Sequence, residues 1–533
     1  MGESHKQVAL YDTTLRDGCQ TEGISLSLED KLQLACALDR LGVDYIEGGY
    51  PLSNPKDKKF FEEARSLDLE HSRLAAFGST RRPNRDASED RGLQALLETE
   101  APAVTIVAKV WPLHVEKVLK VSPGENLKMV EDSVRFLKDE GREVIFDAEH
   151  FFDAHGDDAE YAIEVLQTAA EAGADCVVLC DTNGGTLTSE IEDVTRKVCE
   201  TVDAEVGIHC HDDSGLGVAN SVAAVQAGCR HVQGTLNGFG ERCGNADLCA
   251  VIPNLNLKTE YRCTTDEQQK KLTEISRLAY EVANLMFRGD QPYVGHSAFA
   301  HKGGLHVDAM RKERRSYEHI DPELVGNERR FLIGELSGKA SLLEKMEKYD
   351  LSHDSETLSR LLERLQRMEN RGYQFEAAEA SFELLAKKET GNYRRFFECD
   401  GYHVSIMRQP EGGMLTDATV KLNVKGSREH TASEGDGPVD ALDGALRKAL
   451  DEHYPSLGNV HLTDYKVRVI NPRAATAAKV RVIVQSSDDS RMWGTVGVSE
   501  NIIEASWEAL VDSIEYKLLL EEEKEQERGA AAE

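Results

Sequence analysis

Short apolar runs alternate with amphipathic stretches through the first half of the chain. The runs at 7–13, 44–49, 73–79, 103–109, 143–150, 176–182, 205–211 and 231–237 read as strands. Between most of them, apolar positions recur at helical spacing. The stretch 29–41 stops at Gly42 and the stretch 159–172 stops at Gly173. Eight such units in about 250 residues predict a (β/α)8 TIM barrel. A doubly wound sheet competes, but regular units without a glycine-rich first turn favour closure. From 263 to 378 the pattern becomes helical and charge-rich, as in 267–278, and carries a loop at 295–308. From 379 to 533 the alternation is again β-like, with strands expected at 418–424, 465–470 and 479–484 and helices at 438–453 and 500–520. The expected organisation is therefore a barrel at 1–262, helical linker subdomains at 263–378 and an α+β domain at 379–533. The acidic tail 521–528 reads as a solvated helix end or disorder.

Composition narrows the class. No apolar run approaches the roughly 20 residues that cross a bilayer, and the first residues lack the apolar stretch of a signal peptide. The 11 cysteines are scattered with no Cys-x-x-Cys pair, which predicts reduced thiols and a cytoplasmic protein. Cys19, Cys210 and Cys243 sit inside polar motifs but read as packing residues. A formal charge of −32 argues against nucleic acid as a partner. Basic residues that meet an anionic substrate must overcome that field locally.

In a barrel, chemistry gathers at the C-terminal ends of the strands. The polar motifs fall there: Arg16 and Asp17 after the first strand, Glu47 on the second and Glu149 after the fifth. Thr182 ends the sixth, His209 and His211 the seventh, and Asn245 follows the eighth. Two residues apart on a strand, His209 and His211 point to one face. With a carboxylate from another strand they make a divalent site. Asp17 is the first choice for that carboxylate and Asp12 its competitor, which instead orients Arg16. Asn245 offers an amide oxygen or serves as a turn residue. Arg16 binds a developing alkoxide or a carboxylate, and a salt bridge to Glu47 is compatible with either. Glu149 orients a base or binds substrate, with Asp147 as its rival. Asp212 and Asp213 are expected to cap the next helix, and Glu241 to pair with Arg242.

Four ordered motifs carry a resemblance. Asp12-Thr-Thr-Leu-Arg-Asp-Gly-Cys-Gln20, His209-Cys-His-Asp-Asp213, 237–248 and 298–306, with 434–442 further on, resemble the 2-isopropylmalate, homocitrate and citramalate synthase family over nearly the whole chain. The resemblance implies a divalent metal (Mg2+, Mn2+ or Zn2+) held by Asp17, His209, His211 and Asn245. It implies Claisen-type condensation of acetyl-CoA with a 2-oxo acid, followed by thioester hydrolysis. Arg16, Glu149, His306 and Tyr317 become the expected catalytic residues, with Glu149 and His306 both qualifying as the base. Gln20, Glu47, Thr182 and Asp308 join Arg16 as expected substrate contacts, and His301 reads as structural support. A homodimer with shared sites is implied, the linker region of one subunit completing the partner's site. The last domain implies feedback by a pathway amino acid. Tyr317–Asn327 and Lys109–Trp111 look like the citramalate-forming branch, which uses pyruvate and feeds isoleucine synthesis. The alternatives are 2-oxoisovalerate as substrate and, in another class, a metal-dependent lyase. The choice of oxo acid is expected to rest on 77–81 and 108–111.

Overall fold

The computed structural model describes residues 5–332, 342, 346, 355–408, 412–470, 478–488 and 491–530. The first four residues, and most of 333–354 within the expected linker region, lie outside the described residues. Two compact units emerge: Met1–Phe299 with His319–Arg329, and Ala300–Glu318 with Arg330–Glu533.

The first unit is a closed barrel of eight parallel strands. They are β1 (Ala9–Asp12), β2 (Tyr45–Gly49), β3 (Arg73–Ser79), β4 (Ala103–Lys109), β5 (Glu143–Glu149), β6 (Cys176–Asp181), β7 (Glu205–Cys210) and β8 (His231–Gly234). β1 pairs with β8, Ala9 opposite His231, so no edge remains. Alternation divides the strand residues between two cores. Leu10, Ile46, Val104, Phe146, Leu179, Ile208 and Val232 face outward into a large core shared with helix residues such as Leu38, Phe60 and Val165. Tyr11, Tyr45, Ala75, Ala103, Ile145, Cys176, Val178 and Cys180 form a separate core inside the barrel. That inner set continues upward in polar residues, which is how the fold delivers chemistry to one end.

Local signals explain the helices. Ser27 and Asp30 form a reciprocal capping box at the start of Leu28–Leu41, and Gly42 ends it at φ 86°, in the left-handed region. The β2 end depends on a buried ion pair. Lys31 Nζ donates to Asp57 Oδ1 at 2.5 Å and to Gly48 O at 3.1 Å. Asp57 Oδ2 accepts from Tyr50 N at 2.9 Å. A Cβ at Gly49 would lie 2.3 Å from Asp57 Cγ, so glycine is required where that carboxylate packs. The pairing of β2 with β3 shifts register between Glu47 and Gly49, a bulge beside the site.

The second unit contains two three-stranded antiparallel sheets. One comprises β9 (Phe397–Arg408), β10 (Met414–Val424) and β11 (Ser427–Gly435). The other comprises β12 (His461–Val469), β13 (Val480–Ser487) and β14 (Met492–Ser499). Helix Pro438–Leu450 buries Ala441, Leu442, Ala445 and Leu446 in one core with Val420 and Leu422. Helix Ile502–Ala530 runs through the acidic tail. β9, β11 and β14 do not stand out in the sequence as β10, β12 and β13 do. β11 reads Ser-Arg-Glu-His-Thr-Ala-Ser-Glu-Gly and buries no residue, so its strand state comes from pairing with β10. Among the described residues, no helix is long and apolar enough to cross a membrane.

Asp57→Ala is predicted to strand the Lys31 ammonium in the barrel wall. The expected loss is about 3–5 kcal/mol of unfolding free energy, read from the denaturant midpoint of the barrel transition.

Candidate active site

The loop after β1 is held by its own first residue. Asp12 accepts from Thr14 N at 2.8 Å and Thr14 Oγ1 at 2.9 Å, while Thr14 Oγ1 accepts from Leu236 N at 2.9 Å. Burial raises the Asp12 carboxyl to about 7. Its partners are therefore in the loop and not Arg16, which corrects the expectation that it orients the guanidinium.

Arg16 is instead suspended between two carboxylates. Its Nε bonds Glu47, and its Nη1 lies 3.3 Å from Asp17 Oδ2. Its guanidinium carbon sits 3.9 Å from the centre of the Phe77 ring. Burial opposes the charge, yet Glu47 and Asp17 together push the guanidinium pKa up. Glu47 is fully buried and also accepts from Tyr11 and from Thr13 Oγ1, the latter at 2.6 Å.

Asp17, His209 and His211 are buried, and one potential ligand atom from each lies within 4.8 Å of the other two. Asp17 Oδ2 lies 3.7 Å from His209 Nε2. Burial works against ionisation of Asp17, but Arg16, His209 and His211 hold its carboxyl below the usual range. Burial and the neighbouring His209 bring His211 down to about 4, so its ring is neutral and free to ligate. Asn245 pairs with His211 in an isolated bridge and donates its Nδ2 to Phe239 O at 3.1 Å. Asp17 Oδ1, His211 Nδ1 and Asn245 Oδ1 are all buried without a hydrogen-bond partner. Unpaired buried acceptors on Asp17 and His211, whose ligand atoms cluster with that of His209, fit a cation. One carboxylate, two imidazoles and an amide oxygen suit Mg2+, Mn2+ or Zn2+. Gly240, at φ +157°, is part of the cradle, because a Cβ there would lie 2.2 Å from Asn245 Nδ2.

Behind His209 stands a relay that the sequence motifs did not flag. His209 Nδ1 bonds Gln233 Oε1 at 2.8 Å, and Gln233 Nε2 donates to Asp147 Oδ1 at 2.9 Å. The amide orientation puts the imidazole proton on Nδ1 and leaves the Nε2 lone pair toward Asp17. Burial, reinforced by Glu47, raises Asp147 to about 8. The signal available in sequence was the position of Gln233, two residues after His231 on the inward face of β8.

The remaining expected residues divide. Glu149 is ion-paired with Lys109 at the ends of β5 and β4. Thr182 Oγ1 accepts from His150 N at 2.8 Å, and Gln20 is exposed in the turn Gly18–Gln20. His306, Asp308 and Tyr317 belong to the second unit. There the His306 ring stacks on Tyr317 with centres 4.1 Å apart, and Asp308 accepts from Lys312 at 2.7 Å. His301 pairs with Glu318 at 3.1 Å. Two expectations are corrected. Arg242 pairs with Asp213, at 2.7 and 2.8 Å, more closely than with Glu241 at 3.9 Å. Asp212 alone meets the next helix, through Gly217 N at 2.6 Å. Of the expected selectivity residues, Arg81 turns away to Asp132 and Glu125, whereas Phe77 lies under Arg16.

The HMGL-like family matches residues 7–279, a homocitrate synthase post-HMGL domain-like family 293–373, and the LeuA allosteric (dimerisation) domain 376–518. The (R)-citramalate synthase of Aquifex aeolicus is 52% identical, covering 97% of this chain and 99% of its own. That of Geobacter sulfurreducens is 51% identical, with the same coverage of 97% and 99%. The chain belongs to the (R)-citramalate synthase family within the HMGL-like enzymes. A probable 2-isopropylmalate synthase of Methanopyrus kandleri stands further off, at 33% identity over 95% of this chain and 98% of its own.

Gln233→Leu is predicted to weaken metal binding by about 10–100-fold, measured by titration of the metal-free protein. Asp147 supplies a pH test. Its folded pKa is raised, so the folded chain holds a proton that the unfolded chain releases above the ordinary carboxylate value. The resulting stabilisation is complete below that value and is lost as pH rises through about 8. In the metal-free protein, Asp147→Asn should flatten that fall in urea midpoints across the same range.

Proposed function

We propose that this chain condenses acetyl-CoA with pyruvate and hydrolyses the thioester, yielding (R)-citramalate and CoA. The observation that carries the proposal is the largely buried Arg16 beside the Asp17–His209–His211 cluster, in a chain 46–52% identical to five curated (R)-citramalate synthases. A divalent ion held by Asp17, His209, His211 and Asn245 would polarise the ketone of the 2-oxo acid. Arg16 presents a permanent charge where the ketone oxygen becomes an alkoxide. A base takes a methyl proton from acetyl-CoA, the resulting carbanion attacks the ketone carbon, and the carbonyl π pair moves to oxygen. Water then cleaves the thioester, releasing CoA as the thiol.

Glu149 and His306 are the proposed bases. Glu149 stands on the barrel side, with its charge balanced by Lys109 until substrate enters. His306, stacked on Tyr317, is exposed, as Asp308 and Tyr317 are. Exposed polar aromatics of this kind suit a segment that completes a site in the partner subunit of a homodimer. The LeuA-type domain supports both the dimer and feedback control by a pathway amino acid, isoleucine being the expected end product in the cytoplasm. Gln20, Glu47 and Thr182 are proposed to line the oxo-acid pocket. Phe77, edge-on to Tyr50 with ring centres 5.9 Å apart, fills the space beside Arg16 and favours the single methyl of pyruvate over a branched chain. One methylene is worth about 1–3 kcal/mol in such a pocket. The proposed division of labour follows the expected boundaries, with catalysis at 1–262, the joining segment at 263–378 and regulation at 379–533.

Free-thiol release from acetyl-CoA with Mg2+ or Mn2+ and a panel of 2-oxo acids tests the reading. Pyruvate should react fastest; CoA release with 2-oxoisovalerate and none with pyruvate would overturn it. Arg16→Lys should lower kcat by about 100- to 1,000-fold with metal content unchanged. Mixed Arg16→Lys and His306→Ala subunits should regain part of the activity if sites are shared. No recovery under proven subunit exchange would remove the shared site.

A further inference from the structure

The floor of the barrel carries a second cluster that the condensation does not use. Cys176 opens β6, Glu205 opens β7 and His231 opens β8. Cys176 is in register with Glu205, and Gly207 with His231. Glu205 and Gly207 are two apart on β7 and share the inward face with His209. One potential ligand atom from each of Cys176, Glu205 and His231 lies within 4.8 Å of the other two.

Burial and packing set the cluster's character. Cys176 and His231 are buried, 4% and 1% exposed, whereas Glu205 stands at the solvent-exposed rim. The His231 ring lies 5.4 Å from Tyr11 and 5.5 Å from Tyr45, centre to centre. Its Nε2 is buried with no hydrogen-bond partner. Gly207 makes the space for that ring: a Cβ there would meet His231 Cδ2 and Val178 Cγ2 at 3.0 Å. A plain core histidine accounts for the ring contacts but leaves its nitrogen unpaired beside a thiol and a carboxylate. The nearby cations have other partners. Arg73 is held by Glu143 at 2.6 Å and lies over Tyr45. Arg230 lies over Tyr261 and donates to the Val225 and Cys229 carbonyls.

We propose that Cys176, Glu205 and His231 form a second metal site on the barrel floor, separate from the Asp17 cluster and selective for a thiophilic divalent ion such as Zn2+. Thiolate, imidazole and carboxylate are a zinc donor set, whereas Mg2+ wants oxygen. Three protein donors leave one position open, and Glu205 places it toward solvent, which gives the ion its entry path. Binding transfers the Cys176 thiol proton to water as the thiolate joins the ion. At the floor of a barrel, away from the strand ends that hold substrate, such an ion would clamp three adjacent strands.

Co2+ titration of the full chain distinguishes the two sites, because only a thiolate ligand gives a sulfur-to-cobalt charge-transfer band. The expected result is two Co2+ per chain, with the near-ultraviolet band following one of them. Cys176→Ser should abolish the band and remove one equivalent while the other stays. His231→Gln should remove the same equivalent, and it serves if Cys176→Ser fails to fold. His211→Ala should do the reverse, losing an equivalent and keeping the band. Saturation at one Co2+ with no band, or a band unchanged in the folded Cys176→Ser or His231→Gln variant, would overturn the floor site without touching the proposed reaction.

Discussion

The largely buried charge of Arg16 constrains the rest of the barrel mouth. A guanidinium taken out of water must be paired, and breaking such a pair costs several kcal/mol. Here Glu47 and Asp17 supply the pairing, and each is committed elsewhere. Glu47 also receives the Tyr11 and Thr13 hydroxyls, tying β2 to β1. Asp17 faces His209, whose other nitrogen leads through Gln233 to Asp147 on β5. Five strands, β1, β2, β5, β7 and β8, are thereby joined through side chains, so no member can shift without unpairing another. Arg16 is held in place before any ligand arrives, which is the condition for electrostatic stabilisation of a transition state without reorganisation.

The barrel interior changes character along its axis. Its middle is filled by Tyr11, Ala75, Ala103, Ile145 and Val178, which keep water out. Above them lie Asp147, Gln233 and His209, and below them Cys176 and His231, all buried. Polar groups at these depths are tolerable only when paired or ligating. The upper set satisfies that through the relay from Asp147 to His209 and through Asp17 facing His209. The lower set leaves the His231 nitrogen open. The two ends thus present different donors, oxygen and nitrogen above, with sulfur added below.

The second unit has a different construction. Its paired three-stranded sheets are covered by the helices Pro438–Leu450 and Ile502–Ala530 through Leu446, Trp507 and Ile514. The segment bearing His306, Asp308 and Tyr317 is assigned to it, not to the barrel. Its exposed aromatic and acidic side chains have more to offer a neighbouring surface than their own core.

The sequence by itself determined the order and number of barrel units, the strand faces and the position of each polar motif at a strand end. Period-two alternation and helical spacing are local properties, so His209 and His211 could be placed on one inward face without knowing what faces them. The Asp17–His209–His211 cluster was legible for that reason. Only the tertiary structure decided which side chains meet across the barrel. Closure and register bring Thr14 to Leu236, 222 residues apart in sequence, and they make Gln233 the support of His209. Closure also sends Arg81 away from the mouth, leaves Phe77 under Arg16, and gathers Cys176, Glu205 and His231 on the floor. Nothing in the neighbourhood of those residues along the chain specifies such meetings, because each is made by strands whose proximity exists only once the barrel has closed.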